Sequence, residues 1–393
     1  MKTRNRFLLL PVIYLCFFAL GLPEGAFGVT WPFIRADVGF DLEMAGIILV
    51  FNAIAYTFAS AILGRFSNFI KLESINLLGI TILTLSLLGI AVSPNFASLV
   101  IVATVLGIGS GFVDSSLNLY MTKSFSSRYM NWLHCFWSFG AAASPIFITQ
   151  VILNSGWRLG YASMGFFLGF VAIAVLISRF KGLWQISEKA QSETSEEKPE
   201  RKIKVFLTKK RHQFMKVCAC FLYGGAEYSM GFWITSVLLY SRGLSIEIIG
   251  IFHAVFYGTI MGGRLFFGWL ANTLANTVMI RIGFLIALAG LIMLTFSNNI
   301  LGIALVGFGF APIFPCLIHE TSNRFSPKLV TRLVGFEVAA FSAGVAILSS
   351  IKGPILERVS LEALFPMTIG LIVISFLINE TIERAIGLAR QPA

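Results

Sequence analysis

Charge is what this chain has least of. Its 393 residues include 30 Lys and Arg and 19 Asp and Glu, 12% of the whole, against about 25% in an ordinary soluble protein. So few charges cannot solvate a globule of this size, which excludes a water-soluble fold. Cysteine is also scarce: Cys16, Cys135, Cys218, Cys220 and Cys316 all lie in apolar stretches, in odd number and without metal-ligand spacing. Neither a disulfide framework nor a zinc site is suggested. Gly107-Ile-Gly109-Ser-Gly111 lacks the preceding strand and downstream Lys-Ser/Thr of a nucleotide loop. No nucleophile–base pattern supports an enzyme, no appended signalling domain supports a sensor, and no cofactor is expected.

What the chain has is hydrophobic sequence, 56% of it, in runs of about 20 residues, the length that crosses a hydrocarbon core. Twelve such spans can be placed, at 7–33, 44–66, 73–93, 97–122, 130–153, 157–179, 213–240, 245–270, 276–296, 299–320, 331–353 and 361–382. Lipid satisfies no backbone N–H or C=O, and no short-period alternation suggests a barrel, so the spans are read as helices. The fold class is an all-α membrane protein. A basic then apolar N-terminus also suits a secretory signal peptide, but its apolar run continues too far.

With the N-terminus in the cytoplasm, inner loops and tails hold thirteen Lys and Arg. The outer loops hold five: Arg35, Arg158, Arg242, Lys352 and Arg358. That asymmetry predicts both termini in the cytoplasm, in the cell (inner) membrane. It also accounts for the net charge of +11 without a nucleic-acid partner. Residues 181–211 carry nine basic and five acidic side chains, a composition that buries no apolar area. The segment 181–212 is read as a cytoplasmic linker between six-helix bundles at 1–180 and 213–393.

The halves repeat one another. Glu24-x-x-x-Gly28 matches Glu227-x-x-x-Gly231 at an offset of 203, each followed by a tryptophan, Trp31 and Trp233. Gly64-x-x-x-Asn68 matches Gly268-x-x-x-Asn272 at 204, and Gly107-Ile-Gly109 matches Gly307-Phe-Gly309 at 200. Three matches in one order indicate a duplicated six-helix unit, an arrangement in which two half-sites face one cavity. Over essentially its whole length the chain resembles the major facilitator superfamily. The resemblance implies 12 transmembrane helices in two pseudo-symmetric bundles. Asn68 and Asn272 stand where that family's loop motif normally has Asp.

Three stretches narrow the resemblance to the fucose permease-like group of sugar transporters: Asn131 to Pro145, Phe221 to Trp233 and Gly307 to Pro315. That likeness implies alternating access by a secondary transporter working on a small hydroxylated solute, a sugar, with coupling to protons. Export of an amphiphile or drug, or a membrane-embedded solute sensor, are the alternative readings. The partners expected are that solute, protons and the bilayer, and the chain is expected to function as a monomer.

Charged residues at bilayer depth cost about 2.5 to 3.5 kcal/mol on insertion scales, so those placed inside spans are the functional candidates: Glu24, Asp114, Glu227, Arg264 and Glu337. Glu24 follows Pro23, which deprives its helix of a backbone bond. Glu227 has Tyr228 and Trp233 nearby, and carboxylates with aromatic faces suit a sugar. Asn52, Asn118 and Gln150 complete the expected substrate-binding set. Asp114 and Asn118 lie one turn apart on one helical face. They match the group's helix-four acid-x-x-x-Asn, which implies that Asp114 couples substrate binding to protons. The group's helix-one acid aligns with Gly28, one turn after Glu24, the second coupling candidate. His134 is the third, since histidine titrates near neutrality. Arg264 and Glu337, opposite in sign and matched in depth, predict a structural or gating ion pair near the cytoplasmic mouth. A phosphate-binding arginine would want a second cation, and no lysine is expected inside a span.

Overall fold

The computed structural model describes residues 7–66, 70–125, 127–184, 209–271 and 273–390. Asn68, Asn272 and linker residues 185–208 lie outside the described residues. The chain divides into two compact units, Met1–Lys198 and Pro199–Ala393.

Unit one contains α1 (Leu10–Val38), α2 (Ala45–Phe66), α3 (Leu72–Val92), α4 (Phe96–Ser124), α5 (Ser127–Ser155) and α6 (Trp157–Phe180). Unit two contains α7 (Lys210–Ser236), α8 (Ile246–Leu270), α9 (Asn276–Phe296), α10 (Ile300–Phe310), α11 (Ile313–Arg324), α12 (Pro327–Arg358) and α13 (Leu364–Arg390). Local chemistry marks the ends. Asn95 and Ser98 form a reciprocal capping box at the start of α4. Gly39, at φ +80°, closes α1 with its N–H on the Arg35 carbonyl.

Two expected spans came out differently. The span read as 299–320 is interrupted after Phe310, because Pro312 and Pro315 remove two consecutive-turn N–H donors. The Phe310 carbonyl instead accepts the Tyr223 hydroxyl at 2.7 Å. Among the described residues eleven helical stretches are long and apolar enough to cross a membrane, with α10 and α11 forming one of them. The exception is α7, whose 27 residues include Lys210, Arg211, Lys216 and Glu227 among glycines and serines.

Most helix pairings recur in both units, and the last helix of each differs in its chief partner. In unit one α1 packs chiefly on α5, α4 on α2 and α3, and α3 on α6. In unit two α7 packs on α12, α10 on α8 and α9, and α13 chiefly on α7 and less on α9. Glycine permits the closest approaches, since membrane helices gain by bringing backbones together. A Cβ on Gly21 would strike the Trp137 carbonyl, and one on Gly140 the Phe18 carbonyl. In unit two Gly224 meets the Phe341 carbonyl and Gly344 that of Phe221. Gly21 and Gly224 are 203 apart and Gly140 and Gly344 are 204 apart. The duplication legible in the motifs is thus present in the packing.

The helix ends around Arg158 and Arg242 repeat as well. Arg158, opening α6, pairs with Asp37 at 2.8 Å and donates to the Ser93 carbonyl at 3.0 Å beyond the end of α3. Arg242, just past α7, pairs with Glu362 at 2.7 Å and donates to the Leu294 and Ser297 carbonyls at 2.7 and 3.0 Å. Arg158 and Glu362 occupy matching positions, 204 apart, so the two clamps carry opposite charge order.

The interiors differ. In unit two Lys216 donates to the Leu317 carbonyl at 2.7 Å, and Thr321 donates to both oxygens of Glu337 at 2.7 and 2.9 Å. Both Lys216 and Glu337 are fully buried. Lys216 and Arg324 are the cations whose field reaches Glu337. The matching unit-one residues are Ile13, Met121 and Leu133, at offsets of 203, 200 and 204, and all three are fully buried. The expectation that no lysine lies inside a span is therefore overturned, by Lys216 in α7 and by Lys352, which was assigned to an outer loop and lies buried within α12. Hydropathy places a charge at a span end because it cannot see a polar partner within the fold.

Two stability outcomes follow. Gly140→Ala or Gly344→Ala should lower resistance to thermal unfolding in detergent, by about 1 to 3 kcal/mol from forced separation of the helices. Gly258→Ala, whose Cβ enters open space, should leave it unchanged or raise it. Lys216→Ile alone removes one of the two cations whose field reaches Glu337 and should cost about 3 kcal/mol, whereas Lys216→Ile with Thr321→Met and Glu337→Leu, the unit-one residues, should recover most of that loss.

Candidate functional site

The acids gather polar partners inside each unit. In unit one α2 and α4 approach at Gly107, where a Cβ would strike the Asn52 carbonyl, and at Gly111 beside the Tyr56 carbonyl. That contact sets the two helices close enough for the Tyr56 hydroxyl to donate to Asp114 Oδ2 at 2.7 Å. Asn118, one turn along α4, donates through Nδ2 to Asp114 Oδ1 at 3.0 Å. Each carboxylate oxygen of Asp114 therefore receives one hydrogen bond. Glu24, exposed on α1, bears electrostatically on the Tyr56 hydroxyl. Asp114 and Asn118, two of the residues singled out in the sequence, are thus joined to a tyrosine that was not, and the field of a third, Glu24, reaches it.

Asn52 serves the helix packing instead. Its side-chain amide donates to the Ala103 carbonyl at 2.8 Å, tying α2 to α4 one turn before Tyr56. Gln150 is exposed on α5. His134 is exposed too, with its ring edge-on to Phe17 at 5.6 Å. The partners of Asp114 are Tyr56 and Asn118, so the structure does not bring His134 to it. The Leu22 carbonyl beside Pro23 accepts Ser144 at 2.6 Å.

In unit two Glu227 Oε1 lies 3.6 Å from Arg264 on α8, with both side chains partly exposed. The Tyr223 side chain lies beside Glu227, one turn earlier on α7. The expected Arg264–Glu337 pair is therefore replaced by Arg264–Glu227. Glu337 is instead enclosed by Thr321 from α11, a partner that matching depth alone does not reveal. Trp233 is also corrected. It was expected to line a cavity, but it is fully buried within unit two and its indole N–H donates to the Ser349 carbonyl at 2.9 Å. Its counterpart Trp31 is likewise buried and bonded, to the Leu42 carbonyl at 3.0 Å. Buried tryptophan needs such a partner for its N–H, and the repeated use shows a packing role. Tyr228, half-buried, stacks against Phe232.

Tyr56 and Tyr223 were the omissions. Each sits four residues from a group that was noticed, Asn52 and Glu227, and so shares its helical face. A tyrosine in an apolar span is ordinary, however, and only the carboxylate it meets marks it.

Chemically, unit one offers carboxylates, an amide and a phenol, groups that read hydroxyls, whereas unit two offers a carboxylate and a guanidinium held loosely together. Comparison with known proteins places this chemistry in context. Residues 13–349 match the model of the Major Facilitator Superfamily. The glucose/mannose transporter GlcP of Bacillus subtilis (strain 168) is 23% identical over 351 residues, covering 86% of each chain. The hexuronate transporter of the same organism is 25% identical over 284 residues, covering 65% of this chain and 63% of that one. Among solved structures, a bacterial homologue of the human lysosomal transporter Spinster, inward-facing and occupied, matches with a TM-score of 0.77 at 13% identity over 99% of each chain. A peptide transporter matches at 0.74 with 12% identity over 95% of each. With duplicated six-helix packing, membrane-length apolar helices and a family match across most of its length, this chain is an integral membrane protein and belongs to the Major Facilitator Superfamily, whose members are transporters rather than enzymes.

Proposed function

We propose that this protein is a secondary transporter of a small hydroxylated solute, a hexose, moved by alternating access and coupled to protons. We place it in the inner cell membrane with both termini in the cytoplasm, following the distribution of basic loops. The observation that carries the solute reading is the Tyr56–Asp114–Asn118 cluster with Glu24 beside it. A sugar is recognised by groups that accept and donate hydrogen bonds at fixed spacing. The likeness to a glucose/mannose transporter over most of the chain supports the same reading.

Coupling follows from hydrogen-bond inventory. Ionised Asp114 only accepts, and both its donors are satisfied; a protonated carboxyl carries one O–H and must donate. Taking up a proton gives Asp114 an O–H where both its oxygens otherwise only accept, and a solute hydroxyl supplies the acceptor that this new donor needs. Proton and solute binding are linked through one carboxyl.

A second reading is an acidic sugar. It is favoured by Arg264, whose 3.6 Å separation from Glu227 exceeds the 2.7 to 2.9 Å of a direct charge-assisted hydrogen bond and leaves room for a competing carboxylate. The hexuronate transporter among the relatives supports it.

Purified protein in proteoliposomes, offered radiolabelled glucose, mannose and glucuronate with and without a proton gradient, separates these readings. Glu227→Gln is expected to abolish uptake while the folded protein is retained on size exclusion; normal uptake would remove Glu227 from the solute path. Asp114→Asn should lose gradient-driven accumulation and keep solute exchange. Arg264→Gln should spare glucose uptake if the solute is a neutral hexose, and remove glucuronate uptake if it is the acidic one.

A further inference from the structure

Lys352 lies within α12 and is 1% exposed. Its Nζ donates to Ser229 Oγ on α7 at 2.5 Å and to Thr368 Oγ1 on α13 at 2.9 Å. Both hydroxyls pass their own protons to backbone, Ser229 to the Gly225 carbonyl and Thr368 to the Leu364 carbonyl at 2.7 Å. Each hydroxyl therefore faces the lysine as an acceptor. The pocket offers two acceptors, the number a neutral amine requires; an ammonium brings three donors.

No carboxylate pairs with Lys352 among the described residues. The charged and titratable groups on the surrounding elements are engaged elsewhere or set apart along the helices. On α7 Glu227 is paired with Arg264, and Lys216 bonds the Leu317 carbonyl. On α8 His253 bonds the Gly231 carbonyl and Thr235. On α12 itself Glu337 is held by Thr321, and Glu357 and Arg358 stand at the outer end. Before α13 Glu362 is held by Arg242, while Glu380 and Glu383 near its far end pair with Arg281 and Arg324. A lysine buried without a counter-charge has no stability to gain from remaining charged.

The duplication supplies an internal control. At the matching positions unit one has Ile148, Ala26 and Met164, offsets of 204, 203 and 204, all buried apolar residues. The fold closes this position with hydrocarbon when nothing else is required, and in unit two an amine and both its acceptors occur together. An intramembrane ionisable group unneeded for packing points to function.

We propose that Lys352, with Ser229 and Thr368, is a proton-binding site of the C-terminal unit, empty of its proton in this conformation and loaded when the α7–α12–α13 packing opens. The consequence for coupling rests on the transport reading above; the existence of the site does not.

The test uses full-length protein in nanodiscs with 13C-labelled lysine. At about pH 7.5 the lysine Cε resonance that Lys352→Met removes is expected at the amine position, moving to the ammonium position towards about pH 5. Lys352→Met, which installs a residue type like those of unit one, should fold and lack that resonance. Ser229→Ala with Thr368→Val, keeping the lysine, should shift it. If every resonance lost in Lys352→Met is that of an ammonium at both pH values, the proton site is overturned, whether or not any sugar is carried. In proteoliposomes Lys352→Met should reduce proton-driven glucose or mannose accumulation at least tenfold and preserve exchange. A titrating Lys352 with unchanged accumulation in the variant would overturn its part in coupling, and absence of sugar uptake by the wild type would count against the solute reading alone.

Discussion

Backbone contact at a few glycines governs the rest of this structure. Where Gly21 and Gly140 let α1 and α5 touch, and Gly224 and Gly344 do the same for α7 and α12, the rotation of each helix about its axis is settled. A helix advances about 100° per residue, so fixing Gly21 and Gly25 against α5 turns Glu24 roughly a quarter turn away, to where its field meets α2. The same geometry turns Glu227 towards Arg264 on α8. The acids owe their direction to residues without side chains.

Much of this was legible before any coordinates. Apolar runs and the Glu24/Glu227 and Gly107/Gly307 matches expose the helices and the repeat, because hydropathy and glycine spacing are properties of single segments. Partnerships between segments are not. Arg264 and Glu337 looked like a pair because both are charged and share a depth, yet a third segment supplies Thr321 to Glu337, and α7 supplies Glu227 to Arg264. Lys352 looked like a loop residue because nothing in its own stretch announces Ser229 or Thr368. Trp233 looked like a binding residue because an aromatic face suits a sugar, whereas the structure buries it and bonds its N–H to backbone as it does Trp31.

The two units share a frame and differ in what they enclose. Unit one fills its interior with hydrocarbon at the stations where unit two places Lys216, Glu337 and Lys352. Buried polar groups hold a structure to the one arrangement that satisfies them, because partial satisfaction is costly. At these stations unit two is the more exacting of the pair, since changes in its packing there carry an electrostatic penalty that the matching hydrocarbon of unit one does not.

The interruption after Phe310 bears on motion. An unbroken helix resists bending through its ladder of internal bonds, but at Pro312, which has no N–H, a rung is missing, and the Tyr223 hydroxyl bonds the Phe310 carbonyl at the edge of the gap. Flexure there is resisted by side-chain bonds from neighbouring helices to α11, Lys216 on the Leu317 carbonyl and Glu337 on the Thr321 hydroxyl. Any lever-like movement of α11 is thereby geared to the buried lysine and acid of unit two, while the phenol on the other side of the break stands next to Glu227.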